Sequence, residues 1–237
     1  METKLNYKRT FLIGLAFLSI CSFWQMYDNI IPLILQNTYH LGETMTGAVM
    51  ALDNVLAIFL LPVFGALSDK VHTKLGRRMP FIVSGTILAV IFMMLLPMID
   101  NAEKARWGTV ESFSNQVIFL AVLFFTLVSM GLYRSPAVAL MPDVTPNHLR
   151  SRANAVINLM GAVGGVYALI MIKVLVGKGE TPDYLPLFAS IAAVMAIAVG
   201  ILVITIRENK LREEVEKAEA ANAGTIEEKA MAEGVEA

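Results

Sequence analysis

The chain has 237 residues, 56% of them hydrophobic and 16% charged, with a formal net charge of −1 and a mean hydropathy of +0.63. A soluble domain carries nearer a quarter charged residues, so this composition reads as a polytopic membrane protein, and the near-zero charge points to no nucleic-acid or acidic partner. The single cysteine, Cys21, lies in an apolar run, which excludes a disulfide framework within one chain and a Cys-rich metal site.

Six apolar stretches are long enough to cross about 30 Å of hydrocarbon at about 1.5 Å per residue. In chain order they are expected at Phe11–Leu35, Met45–Leu67, Pro80–Ile99, Val117–Leu140, Asn154–Val176 and Leu185–Ile206. The first follows Lys4, Lys8 and Arg9, as a signal peptide would. At about 25 residues, with no small-x-small cleavage site after it, it reads as a retained span. Basic residues then alternate along the chain. The N-terminus, the Asp69–Arg78 loop, the Pro142–Arg152 loop and the tail after Arg207 carry most of the Lys and Arg, while the Gln36–Thr44 loop has none. The loop around Lys178 has few, and the Asp100–Ser114 loop sets Lys104 and Arg106 against Asp100, Glu103 and Glu111. Loops rich in Lys and Arg stay in the cytoplasm, so both termini are expected there, in a multi-pass protein of the plasma or inner membrane. Residues 1–207 form the bundle. From Glu208 the composition turns to Glu, Lys and Ala: Leu211 to Ala221 suits a short polar helix, and Asn222 to Ala237 an acidic, disordered end. Residues 208–237 therefore read as a cytoplasmic tail or a central linker, with no catalytic domain.

The second and third spans meet through Gly65-Ala66-Leu67-Ser68-Asp69-Lys70 and Gly76-Arg77-Arg78-Met79-Pro80. A sharp turn is expected, with Gly65 and Gly76 allowing close approach or positive φ and Pro80 opening the next helix. Asp69 sits where a carboxylate reaches Arg77, Arg78 or a neighbouring helix end. The plainer alternative is an ordinary basic loop.

An ionisable residue inside a span is costly and marks function by default. Lys173, near the outer end of the fifth span, reads as a snorkelling lysine. Asp28 and Asp53 each fall roughly 12–14 Å below the outer surface on consecutive antiparallel spans, which brings them to one level. With Gln25, Asn29 and Asn54 beside them, two carboxylates can hold a proton or small cation and bond a polyhydroxylated solute. The alternative is that each bonds its own helix. Arg134 precedes Ser135-Pro136 in the fourth span, where a proline frees a backbone carbonyl, as in the broken helices of transporters. It either meets the solute or clamps to Asp69 or Asp143. Pro142 and Pro146 are expected to interrupt the helix, and Asp143 with Arg150 and Arg152 to lock the loop between two states. On the fifth span, Gly161, Gly164 and Gly165 suit tight helix packing, and Asn158 is a polar candidate left open. His40, His72 and His148 lie scattered over loops, and no nucleophile elbow, phosphate-cradling loop or zinc helix occurs. No enzyme activity, cofactor or metal is expected.

The stretch Gly65-x-Leu67-Ser68-Asp69-Lys70 resembles the loop 2–3 signature of the major facilitator superfamily, with four extra residues before the second glycine. That longer spacing, ending Gly76-Arg77-Arg78-Met79-Pro80-Phe81, resembles the sucrose/proton symporter branch and its bacterial relatives. So does Arg134-Ser135-Pro136-x-x-Ala139-Leu140-Met141-Pro142-Asp143. The resemblance implies an all-α half-transporter of two three-helix inverted repeats. Its solute would be a sugar or glycoside, carried with a proton or cation. It also implies that Gly65, Asp69, Gly76, Arg77 and Arg78, with Asp143, Arg150 and Arg152, belong to a gate. Gln25, Asp28, Asp53, Asn54, Arg134 and Asn158 are left for solute and ion. Plant members of the branch resemble one another in an acidic fourth-helix residue, where this chain has neutral Phe124-Phe125-Thr126-Leu127-Val128, so coupling would fall to Asp28 or Asp53. Complete members have twelve spans. The chain is therefore expected to pair with a C-terminal six-helix half or with a second copy in a parallel homodimer. The alternative is a non-transporting truncated half or a regulatory membrane partner of a full-length carrier.

Overall fold

The computed structural model describes residues 5–106, 113–177, 179 and 181–232, so Glu111 and Lys178 lie outside the described residues. The elements are α1 (Tyr7–Asn37), α2 (Glu43–Lys70), α3 (Met79–Lys104), α4 (Phe113–Asp143), a 3-10 turn (Asn147–Leu149), α5 (Arg150–Leu175), α6 (Leu185–Thr205) and α7 (Glu208–Ala232). Six of them are long and apolar enough to cross a membrane. With no water in the hydrocarbon, every backbone N–H and C=O must be satisfied within its own segment, and helices do this. The same bonds run on into the polar ends, so most helices outlast their apolar cores. α2 does not turn at Gly65 but continues to Lys70. Likewise Pro136 and Pro142 lie inside α4, which ends at Asp143 and not at Pro142. Neighbouring helices tolerate such prolines by satisfying the carbonyls they free.

α1 is the central helix, packed mainly on α5 and α6, while α3 packs on α4. Contact between α1 and α5 is at backbone distance. A Cβ at Gly164 would lie 2.0 Å from the Leu18 carbonyl oxygen, and Ser22 Oγ donates to the Gly164 carbonyl at 2.9 Å. Between α1 and α4 the Tyr133 hydroxyl is buried, sharing a 2.6 Å bond with Ser19 Oγ and donating to the Ala16 carbonyl at 3.1 Å. α2 stands apart. Only Thr46 and Ser68 of it are buried, and it leans on α4, where Ser135 Oγ donates to the Leu61 carbonyl at 2.7 Å. Lys173 is exposed near the end of α5.

Both ends of the bundle are tied by polar contacts. At one end, Lys104 Nζ lies 2.6 Å from Asp100, donates to the Pro182 carbonyl at 2.7 Å and sits 4.4 Å from the Tyr184 ring centre. Thr38 Oγ1 donates to the fully buried Asp100 at 2.7 Å. Of the mixed charges in this loop, Lys104 and Asp100 thus neutralise each other. At the opposite, basic end α7 folds back across the bundle. It is longer than the Leu211–Ala221 helix expected from sequence, starting at Glu208 and reaching Ala232. Arg9 pairs with Glu214 at 3.5 Å, Asn209 Nδ2 donates to the Thr73 carbonyl at 3.0 Å, and the Asn147 backbone N–H donates to Glu219 at 3.1 Å.

Candidate functional site

On α1, Trp24 and Gln25 lie three and four residues after Cys21 and four and three before Asp28, so the four share a face. On α5, Asn158, Gly161, Ala162 and Gly165 do the same. The two faces line a groove of about 430 Å³ that brings Gln25, Asp28 and Asn158 together. The small residues of α5 give the groove its depth: a Cβ on Gly165 would already touch Gln25 Oε1 at 3.7 Å. Asp28 and Asn158 are exposed on the open side. Asn29 instead turns back on its own helix, donating to the Gln25 carbonyl at 2.7 Å.

A second cavity, of about 20 Å³, lies between α1, α2 and α4, with Trp24, Asp53, Leu60, Gly131 and Arg134 in its wall. Asn54 Nδ2 donates to Asp53 at 2.9 Å. The Arg134 guanidinium carbon is 5.5 Å from the Trp24 ring centre, a cation–π contact. No clamp from Arg134 to Asp69 or Asp143 forms, because two other arginines occupy both carboxylates. Nor do Asp28 and Asp53 share one cavity as the depth argument expected. They remain within reach of each other's charge but line different walls, since α2 leans on α4 and carries Asp53 with it. Trp24 was not singled out from the sequence. Its signal was its depth, because tryptophan in a span usually sits at the interface.

The basic end carries a denser arrangement. Asp143 meets Arg77 Nη2 at 2.8 Å and Arg78 Nε at 3.0 Å, and Asp69 meets Arg78 Nη2 at 2.6 Å and Arg77 Nη1 at 3.5 Å. Arg78, 5% exposed, also donates to Ser68 Oγ and to the Gly65 carbonyl at 3.1 Å. Each carboxylate bridges both arginines, which joins α2, the following loop and the end of α4. Burial opposes the Arg77 charge. The bond to Asp143, with the charges of Asp143, Asp69 and Glu208, outweighs it and holds the Arg77 pKa above its ordinary value. Gly65 serves here through its carbonyl inside a helix, whereas Gly76 does adopt a positive φ of 125°. Arg150 and Arg152 do not lock onto Asp143. Arg150 donates to the Pro142 carbonyl at 2.9 Å and the Thr145 carbonyl at 3.2 Å, closing the end of α4, and Arg152 is exposed.

Glu208 completes this end and was missed. Helix α3 starts at Met79, and its N-cap residue, Arg78, makes no side-chain cap bond. The orphan N–H groups of its first turn need an acceptor. Glu208, fully buried at the head of α7, supplies it: Arg77, Arg78 and Met79 donate to its carboxylate at 2.9, 3.0 and 3.1 Å. A Cβ on Gly76 would lie 2.1 Å from Glu208 Oε2, so the turn needs glycine for space as well as for φ. The sequence signal was a helix start without Ser, Thr, Asp or Asn, and a glutamate just past the last span.

Comparison with known proteins bears on this arrangement. The family model described as Major Facilitator Superfamily matches residues 13–233. The chain is similar to the sucrose transport protein SUT3 of Oryza sativa subsp. japonica, 26% identical over 137 residues, which cover 54% of this chain and 27% of that protein. It is 34% identical to the sucrose transport protein SUC4 of Arabidopsis thaliana over 116 residues, 46% of this chain and 22% of that one. It is also 24% identical over 144 residues to the uncharacterized symporter sll1374 of Synechocystis, covering 59% and 25% of the two. The matched stretches thus span about a quarter of these relatives' length.

Proposed function

We propose that this chain, which belongs to the Major Facilitator Superfamily, moves a sugar-like solute across the membrane together with a proton or cation, as one half of a twelve-helix transporter. The observation that carries this reading is the groove between α1 and α5. It is a mostly apolar recess, open on one side, in which the exposed carboxylate of Asp28 lies with the amides of Gln25 and Asn158. Carboxylate and amide groups so placed bond hydroxyls. Left facing lipid, the same carboxylate would be costly, so a second bundle covers it. Either a C-terminal six-helix half or a second copy related by a two-fold along the membrane normal fits, and the two halves then rock about the solute. Asp53, with Asn54 and Arg134 near it, takes the proton or cation. Asp69, Arg77, Arg78 and Asp143 hold the basic end, on the cytoplasmic side, as the gate.

The test is uptake of labelled sucrose and glucose into proteoliposomes holding the purified chain, with and without an imposed pH gradient. Gradient-driven uptake supports the reading and favours the homodimer. Uptake that appears only when a second six-helix half is co-reconstituted supports the split form. Absence of uptake in both arrangements, from well-folded protein, overturns transport and leaves a regulatory or inert partner.

A further inference from the structure

Among the described residues, Trp24 alone lines both cavities, the groove of about 430 Å³ with Gln25, Asp28 and Asn158 and the void of about 20 Å³ with Asp53 and Arg134. A void of the second size admits one water molecule, which needs about 10–15 Å³. The first admits a ring. The indole is therefore the wall between solute-sized and water-sized space. Its plane is held from several sides. Phe23 meets it edge-on at 5.3 Å and 83°, Tyr27 at 5.4 Å and 80°, and the Arg134 guanidinium packs over the ring. Its Nε1–H is buried and has no acceptor among the described residues. Trp24 therefore meets the open groove through its carbon surface and not through this N–H.

We infer that Trp24 is the specificity-determining residue for a pyranoside-type solute in the groove, an inference that rests on the sugar-transport reading above. A pyranose ring presents a C–H face that packs on an aromatic plane. Its hydroxyls fall to Gln25, Asp28 and Asn158. The fixed ring makes the site preorganised, so little ordering is left for binding to supply.

The test uses the full chain carrying Trp107→Phe, which leaves Trp24 as the only tryptophan of the two in the sequence. Sucrose and methyl α-glucoside are titrated in mild detergent, read by Trp24 fluorescence and by calorimetry. A saturable change in emission is expected. Trp24→Phe, which keeps an aromatic ring of smaller face, should weaken binding about five-fold, and Trp24→Ala more than about ten-fold. The phenylalanine variant keeps the test valid if the alanine variant folds poorly. Calorimetric affinity unchanged within about two-fold in folded variants would overturn the role of Trp24 and leave the sugar reading standing. Native, helical protein that binds neither sugar by either readout, alone or with a co-reconstituted second six-helix half, would overturn both.

Discussion

At the residue scale, the proposed function gives two carboxylates separable roles. Asp53 lines a water-sized cavity with Arg134, while Asp28 lines the larger groove. Asp53→Asn keeps the shape of its cavity and removes the carboxylate proposed for coupling. Gradient-driven uptake should then fall to background while sucrose binding by calorimetry persists; uptake at the unsubstituted rate would remove Asp53 from coupling. Glu208 has a structural task that is measurable by itself. Its carboxylate accepts from three backbone N–H groups, and Glu208→Ala leaves them to water or to nothing. A loss of about 2 kcal/mol is expected, seen as a lower midpoint of thermal unfolding by circular dichroism, with Glu208→Gln recovering part of it. Equal midpoints for all three proteins would show that solvent replaces the cap at no cost.

At the element scale, the groove depends on how closely α1 and α5 approach. Gly164 sets that distance, because any side chain there runs into the Leu18 carbonyl. Gly164→Val should push the helices apart and cost at least about 1–3 kcal/mol, with loss of solute binding in whatever protein folds. Retained binding would mean that the groove tolerates a wider crossing. α7 belongs to the same scale. It opens with Glu208 on the first turn of α3, and Asn209, Glu214 and Glu219 fasten it to the loop after α2, to α1 and to the loop after α4.

At the scale of the whole molecule, the proposed partner bundle would cover the open side of the groove. Val55, Ile58, Phe59 and Val63 on α2, and Leu159, Val163 and Val166 on α5, are exposed apolar side chains. Lipid solvates such side chains as well as a protein would, so they alone do not demand a partner. The proposal of a partner rests instead on the exposed polar groups of Asp28 and Asn158, which are costly in lipid. If two bundles make the transport unit, uptake per copy should fall toward zero as the chain is diluted below about one copy per vesicle. Constant uptake per copy would mean that a single six-helix bundle transports by itself.

Much of this architecture was legible in the residues alone. Spans in hydrocarbon need unbroken apolar runs, so the number and order of six helices followed from composition, as did the glycine at 76 and the arginines beside it. The grouping of Gln25, Asp28 and Asn158 was open to suggestion only, since polar residues in spans identify themselves but not their neighbours. Three things were decided by tertiary structure. Depth along a helix says nothing of its azimuth, so the lean of α2 on α4, which separates Asp53 from Asp28, could not be read from spacing. Charges in loops attract every opposite charge nearby, and only packing chose Arg77 and Arg78 for Asp143 over Arg150 and Arg152. The cap from Glu208 joins groups about 130 residues apart, and no local pattern records it, because an orphan N–H accepts a partner from wherever the fold brings one.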